Sequence, residues 1–199
     1  LALPSRDDVG LQYGSELMTA LPQVKKLLAT APFNTLDADI LEKLEQRSEL
    51  VRYELGARLL NTTFSSPGLL LLLQGEVRLL ATLSNQRTIT LDRRGPGQLM
   101  GWVSLLRGDS CELVQASEPC ICLLIPAELL LESWRENQLF LDFFLARSTP
   151  SEVAYVLLRA LNFLNAPPAD EEAWLLQGLK NAQVISGPQK INDSSQISL

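Results

Sequence analysis

LLLLLQGEVRLL, residues 69–80, is the stretch of sequence from which the fold is best predicted. Its two apolar runs are each short, and Gly75 lies between them, where a glycine favours a turn. Similar short apolar runs recur along the middle of the chain, at residues 51–55, 69–73, 77–83, 88–91, 113–116 and 120–125. Regularly spaced short strands with glycine turns indicate an all-β roll, predicted here over residues 49–125.

Helical periodicity appears on both sides of this region. Apolar residues at spacings of three and four predict a helix over residues 16–30, and Asp37 is the expected N-cap of a second helix. After Pro126 the same spacing predicts four more helices, at residues 127–134, 139–147, 150–164 and 170–179. The predicted fold class is therefore α+β, with a β-roll flanked by N- and C-terminal helices.

Four segments are expected from this pattern. Residues 1–15 are predicted to be a flexible lead-in, and residues 16–147 the main domain with its N-terminal helices. Residues 148–183 would form a C-terminal helical extension, and 184–199, rich in serine, asparagine and glutamine, a linker or disordered tail. Because the chain begins with Leu1 and not methionine, we expect it to be a piece of a longer protein.

Composition excludes several classes of function. The net charge of -6 argues against binding to nucleic acid or to anionic membranes. The chain has no histidine, so it lacks the commonest general base and metal ligand, and we predict neither an enzyme nor a metal site. Its three cysteines, an odd number, are expected to be buried, unpaired thiols: Cys111, Cys120 and Cys122. The longest apolar run is far shorter than a transmembrane helix.

Four motifs carry a resemblance to a known family. They are ATAPFNTLDADILEKLEQRSELVRYELGARLL (29–60), the stretch 69–80, DRRGPGQLMGW (92–102) and CICLLIPAELLLE (120–132). In their order and spacing they resemble the cyclic-nucleotide-binding domain, over roughly residues 20–147. That resemblance implies a jelly-roll, a cupin-like double-stranded β-helix, in which 69–80 is the central hairpin turning at Gly75.

A narrower resemblance rests on MGWVSLLRGDSCELVQASE, residues 100–118. This segment is similar to the domain at the N-terminus of cyanobacterial ABC transporters that secrete peptides or toxins. The resemblance implies a non-catalytic regulatory or signal-sensing domain, followed in its parent protein by peptidase, membrane and ATPase domains. It also implies a cytoplasmic location, tethered to the inner membrane through that transporter.

The family holds its ligand with a short cassette, which here spans residues 101–111. A helix begins after a glycine, and its free N–H groups bind the cyclic phosphate, while one arginine pairs with the phosphate and one glutamate binds the ribose. Gly101 fills the glycine position, but Trp102 stands where the glutamate would be, and the arginine position falls on Ser110 or Cys111. The predicted ligand-binding residues of this degenerate cassette are Gly101, Trp102, Val103, Ser104, Arg107, Ser110 and Cys111.

Several roles stay open at this point. Trp102 could stack on a planar ligand or fill the core, and Arg107 could replace the missing cation or end its helix in solvent. The helix of residues 150–164 could form a homodimer or fold back on its own roll. The expected effector is a small anion or nucleotide-like molecule, or none, and no cofactor is predicted.

Two other functions compete with the transporter domain. A transcription regulator of the catabolite-activator type, binding a cyclic nucleotide or another effector, would need a basic helix-turn-helix, yet residues 150–199 hold three basic and five acidic residues. A cupin enzyme would need histidine ligands for its metal, so the sequence excludes it.

Overall fold

The structure, a computed structural model, describes residues 24–164 and 168–182. Residues 24–28 are helical, and residues 29 and 30 form a turn and a bend, so the helix predicted over 16–30 ends two residues early. Residues 16–23 of that helix precede the described residues, as does the lead-in. The tail predicted at 184–199 also lies outside them. The helices are α1 (Ala38–Arg47), α2 (Trp102–Arg107), α3 (Ala127–Glu136), α4 (Gln138–Leu145), α5 (Pro150–Leu164) and α6 (Glu171–Asn181).

The strands form two four-stranded antiparallel sheets that make up the predicted roll. They are β1 (Glu49–Tyr53), β2 (Arg58–Leu60), β3 (Gly68–Gln74), β4 (Val77–Thr82), β5 (Thr88–Arg94), β6 (Leu99–Met100), β7 (Leu113–Ala116) and β8 (Cys120–Pro126). One sheet has the order β1-β8-β3-β6 and the other β2-β7-β4-β5. The α+β class and the β-roll with flanking helices are therefore confirmed.

The prediction that residues 69–80 form a paired central hairpin was wrong, because β3 and β4 lie in different sheets. Leu69, Leu71 and Leu73 pack against the helices, whereas Leu70 and Leu72 face the interior of the roll. Since successive side chains of a strand point to opposite faces, a strand buried on both faces must be apolar throughout. Gly75 does turn the chain, with φ +86°. However, β3 pairs with β6 and β8, while β4 pairs with β5 and β7, so the turn joins two sheets.

A helical layer covers the outer face of the first sheet. An aromatic cluster centres on Phe144, which packs against Phe140 and Trp134 with ring centroids 5.2 and 5.3 Å apart. Leu129 and Leu130 of α3 are buried in the same core. The three cysteines are unpaired and buried, as the sequence predicts. Within the described residues, no helix combines the length and apolar character needed to span a bilayer.

One face of helix α5 packs against its own roll, as one of the two alternatives above predicts. Its residue Ala154 is buried with Ala81 and Ile89 of the second sheet and with Leu175 of α6. Leu157 packs closely on α6, because a Cβ added to Gly178 would lie 2.6 Å from its Cδ1 atom. Much of the apolar stripe predicted from the sequence is therefore used inside the chain.

Candidate ligand-binding site

Gly101 shapes the start of the cassette helix α2. It adopts the left-handed conformation with φ +85°, and α2 ends at Gly108, which has φ +70°. A Cβ atom on Gly101 would lie 2.4 Å from the carbonyl oxygen of Gly68 and 2.7 Å from the Ser66 Oγ. Both the backbone conformation and the close approach of β3 therefore require glycine at this position.

The Glu112 carboxylate accepts hydrogen bonds from the backbone N–H groups at the start of α2, which the family resemblance assigns to a phosphate. Its Oε1 accepts a hydrogen bond from the Gly101 N–H at 2.9 Å. Its Oε2 accepts from the Ser104 N–H at 3.2 Å and from the Ser104 Oγ at 3.0 Å. The residue is 3% exposed, so this carboxylate caps α2 from inside the protein. From the sequence alone, Glu112 is an acidic residue beside the cassette, and nothing there shows that its side chain binds the N–H groups of the cassette.

Burial raises the pKa of Glu112. Removal from water raises the pKa of this carboxyl group above its usual value of 4.5, while the hydrogen bonds from Gly101 and Ser104 oppose the rise. The nearby carboxylate of Glu152 adds to it. Between the unfolded and the folded pKa, the folded chain binds more protons than the unfolded chain, so stability from this group is greatest in acid and falls as pH rises through that interval.

A substitution isolates this pH dependence. We expect the free energy of unfolding of the natural chain to rise relative to that of a Glu112→Gln variant as pH is lowered from about 8 to about 5, because only the carboxyl group titrates. Each unit by which burial raises the pKa contributes about 1.4 kcal/mol. Urea denaturation of both proteins across this range measures the difference. A difference that stays constant, or that grows towards alkaline pH, would contradict the assignment.

Trp102 and Val103 belong to the core. Trp102 is 4% exposed, and its ring centroid lies 5.2 Å from that of Phe144. Val103 is fully buried in the same cluster. The indole therefore lies among core aromatic rings, which is the second of the two roles predicted for it, and it is not placed as an exposed lid.

Arg107 is the exposed last residue of α2, which is the second of the two roles predicted for it, and its side chain also pairs with a residue of α5. The Arg107 Nε donates to the Glu152 Oε1 of α5 at 2.6 Å, so its charge is directed to that helix and not to the start of α2. The Ser110 Oγ donates to the carbonyl of Phe64 at 2.9 Å. Neither Ser110 nor Cys111, the two residues on which the arginine position of the family falls, carries a positive charge.

Cys111 is bonded to the cassette through its backbone, and its side chain is a neutral thiol. Its N–H donates to the Ser104 Oγ at 3.3 Å, and the side chain is buried. Burial raises the pKa of the thiol to about 11, so it is protonated at neutral pH and is a poor nucleophile.

A second set of polar contacts ties the end of the cassette to α5. Asp109 accepts a hydrogen bond from the hydroxyl of Tyr155 and pairs with Arg159, whose Nη1 lies 3.1 Å from the aspartate oxygen. Together with the pair of Arg107 and Glu152, these contacts extend over about two turns of α5. We call this group of five residues the cassette–helix link.

Two cavities flank the cassette. One, of about 350 Å³, lies between β4, the segment 109–113 and α5, and we call it the helix cavity. The other, of about 280 Å³, is lined by Trp102 and Glu112 together with Arg94 and Arg147. Of the predicted site residues, Ser110 and Cys111 line the helix cavity, Trp102 lines the other, and Gly101 and Ser104 hold Glu112.

Comparison with known proteins agrees with this architecture. Residues 50–137 match the sequence model of a family described as the cyclic nucleotide-binding domain. No curated protein sequence matches the chain.

Several solved structures share the fold. The regulatory subunit of a cAMP-independent protein kinase A from Trypanosoma brucei is 14% identical, with a TM-score of 0.57 over 74% of this chain and 53% of that one. The sensor domain of the transcriptional regulator DNR from Pseudomonas aeruginosa is 16% identical, with a TM-score of 0.56 over 76% of this chain and 99% of that domain. The chain thus spans about half the length of the first protein, and at these identities the likeness concerns the fold.

Proposed function

We propose that this chain is a non-catalytic regulatory domain of the cyclic nucleotide-binding type, whose model residues 50–137 match, and that its cassette is held by its own carboxylate. The observation that carries the proposal is the position of Glu112, which accepts hydrogen bonds from both Gly101 and Ser104. A family ligand would bring a phosphate to the same N–H groups. Glu112 stands in its place, so the cassette is complete without a nucleotide.

The cassette–helix link gives such a domain an output. Arg107 and Asp109 contact α5 directly, so a change in the cassette must move α5 or break these contacts. Helix α5 in turn packs against α6, the last described element. The regulatory signal would therefore leave the domain through its C-terminal helices. The Trypanosoma brucei protein of the same fold is itself described as cAMP-independent, which supports regulation without that ligand.

The proposed context is an ABC transporter that secretes peptides or toxins. The support is the resemblance of residues 100–118 to the N-terminal domains of such transporters in cyanobacteria. In that context the domain would lie in the cytoplasm and would be tethered to the inner membrane by its parent transporter. The chain would be divided into the four segments predicted from the sequence. Sequencing the gene beyond the codon for Leu199 tests this. We expect a peptidase, membrane spans and a P-loop ATPase, whereas a helix-turn-helix would favour the transcription regulator instead.

We also propose that two copies of the chain form a homodimer through the outer face of α5, the face that does not pack on the roll. Val156 and Phe163 are 60% and 87% exposed, and their spacing of seven places them on one side of the helix. Leu157 does not belong to this outer face, because it packs on α6 within the chain.

Light scattering tests this contact. We expect the natural chain to form a weak dimer and a Val156→Ser, Phe163→Ser variant to associate at least about tenfold less tightly, since two apolar side chains lose their burial. Leu145→Ser, which changes a residue that is 45% exposed on α4, is the matched control and should leave association unchanged. A monomeric natural chain, or a variant that dimerises as before, would exclude this interface.

A further inference from the structure

An apolar groove lies on the outer face of the first sheet and shares no lining residue with the two cavities beside the cassette. Its volume is about 380 Å³, and its apolar lining comes from Leu50 of β1, Leu123 of β8 and Val24. These three side chains belong to the main core or pack against it. We call this feature the edge groove, because β1 is the edge strand of its sheet.

Two features of the edge groove indicate that a further segment packs on it. An edge strand leaves backbone groups unpaired on one side, and proteins commonly cover such an edge with a helix or loop. The Oγ of Ser48, which also lines the groove, is buried and has no hydrogen-bond partner among the described residues. Buried hydroxyl groups are normally satisfied, so this one lacks a neighbour.

The described part of the chain begins in this groove. Val24 is its first residue, is 6% exposed and lines the groove. Leu21 comes three residues earlier, so it lies within roughly 4–11 Å of Val24 whether the chain between them is helical or extended. Residues 17–23, LMTALPQ, carry no charged side chain, so they can be buried without removing a charge from water.

We infer that the edge groove is the docking site of residues 16–23 of the same chain, with Leu21 as the anchor. Docking would connect the chain that precedes the roll to β1 and β8, independently of the cassette and of α5. A movement of that preceding chain would then reach the first sheet directly.

The covalent connection favours this occupant over others. Because residues 16–23 are joined directly to Val24, their effective concentration at the groove is in the millimolar range. A second copy of the chain or a free apolar molecule has to compete against that concentration. An apolar anion such as a fatty acid is disfavoured further, since the charged groups that line the groove are two carboxylates and one ammonium group, those of Glu45, Glu49 and Lys25.

Thiol labelling of a Leu50→Cys variant of the whole chain measures the docking. The three natural cysteines are buried, so they give a slow background. Adding Leu21→Ser should raise the labelling rate of the introduced thiol at least about tenfold, because the docked segment loses the burial of one leucine side chain. Adding Leu11→Ser is the matched control. It removes the same side chain from the predicted lead-in, outside the docking segment, and should leave the rate unchanged.

Each outcome of this experiment decides the inference. A rise confined to the introduced thiol and independent of protein concentration supports it. An unchanged rate in the Leu21→Ser background would overturn it, since Leu21 would not cover the groove. If the natural cysteines became reactive to the same extent, Leu21 would stabilise the whole core and not this docking site, which also overturns it. Protection that is lost on dilution would assign the groove to a second copy.

Discussion

A Gly101→Ala variant is expected to lose about 2–5 kcal/mol of unfolding free energy. The left-handed backbone at residue 101 costs a residue with a Cβ about 1–2 kcal/mol. The new methyl group would also lie 2.4 Å from the Gly68 carbonyl oxygen, which is backbone and cannot rotate away. Relieving such an overlap costs typically about 1–3 kcal/mol more. For a domain of this size the melting temperature should fall by roughly 4–20 °C.

Gly108→Ala is the matched control for this experiment. Gly108 ends the same helix and also has a positive φ, +70°, but nothing lies within 4 Å of the position a Cβ would take. Its variant should therefore lose only the conformational cost, about 1–2 kcal/mol. Urea denaturation of the two variants measures the difference. Equal losses would show that the approach of β3 to the cassette does not constrain residue 101.

The roll could be predicted because its determinants are local. Each of the longer strands is a short apolar run ended by a turn residue, and the run of leucines in β3 is visible as such. The strands β2 and β6 were not predicted, because three and two residues are too few to show a period of two. The pairing of β3 with β8 instead of β4 was also not predicted. These two strands are far apart in the sequence, so their pairing depends on tertiary packing.

The position of the cassette could be predicted from the sequence, but the contacts of its side chains could not. Gly101 and the missing arginine and glutamate are apparent from spacing. The role of Glu112 is not, because its partners lie eight and eleven residues earlier and a lone acidic residue usually faces solvent. Arg107 shows the same limit: its partner Glu152 is 45 residues away on another helix. The position of Glu112 inside an otherwise apolar segment, between Cys111 and Leu113, was the one available signal.

Cyclic nucleotides are expected to bind this domain far more weakly than a family site with its charged residues intact. Charge-assisted hydrogen bonds contribute about 1.5–3 kcal/mol each, so losing both the arginine and the ribose-binding glutamate should cost about 3–6 kcal/mol. At about 1.4 kcal/mol per tenfold, a micromolar site would weaken to roughly the millimolar range or beyond. The carboxylate of Glu112 adds repulsion, because a phosphate could reach the Gly101 and Ser104 amide groups only by displacing it.

Titration calorimetry of the natural chain with cyclic AMP and cyclic GMP tests the self-occupied cassette most directly. A Kd weaker than about 100 µM for both nucleotides is the predicted result. A Kd tighter than that for either nucleotide would contradict it, since Glu112 would then have yielded its place to a phosphate.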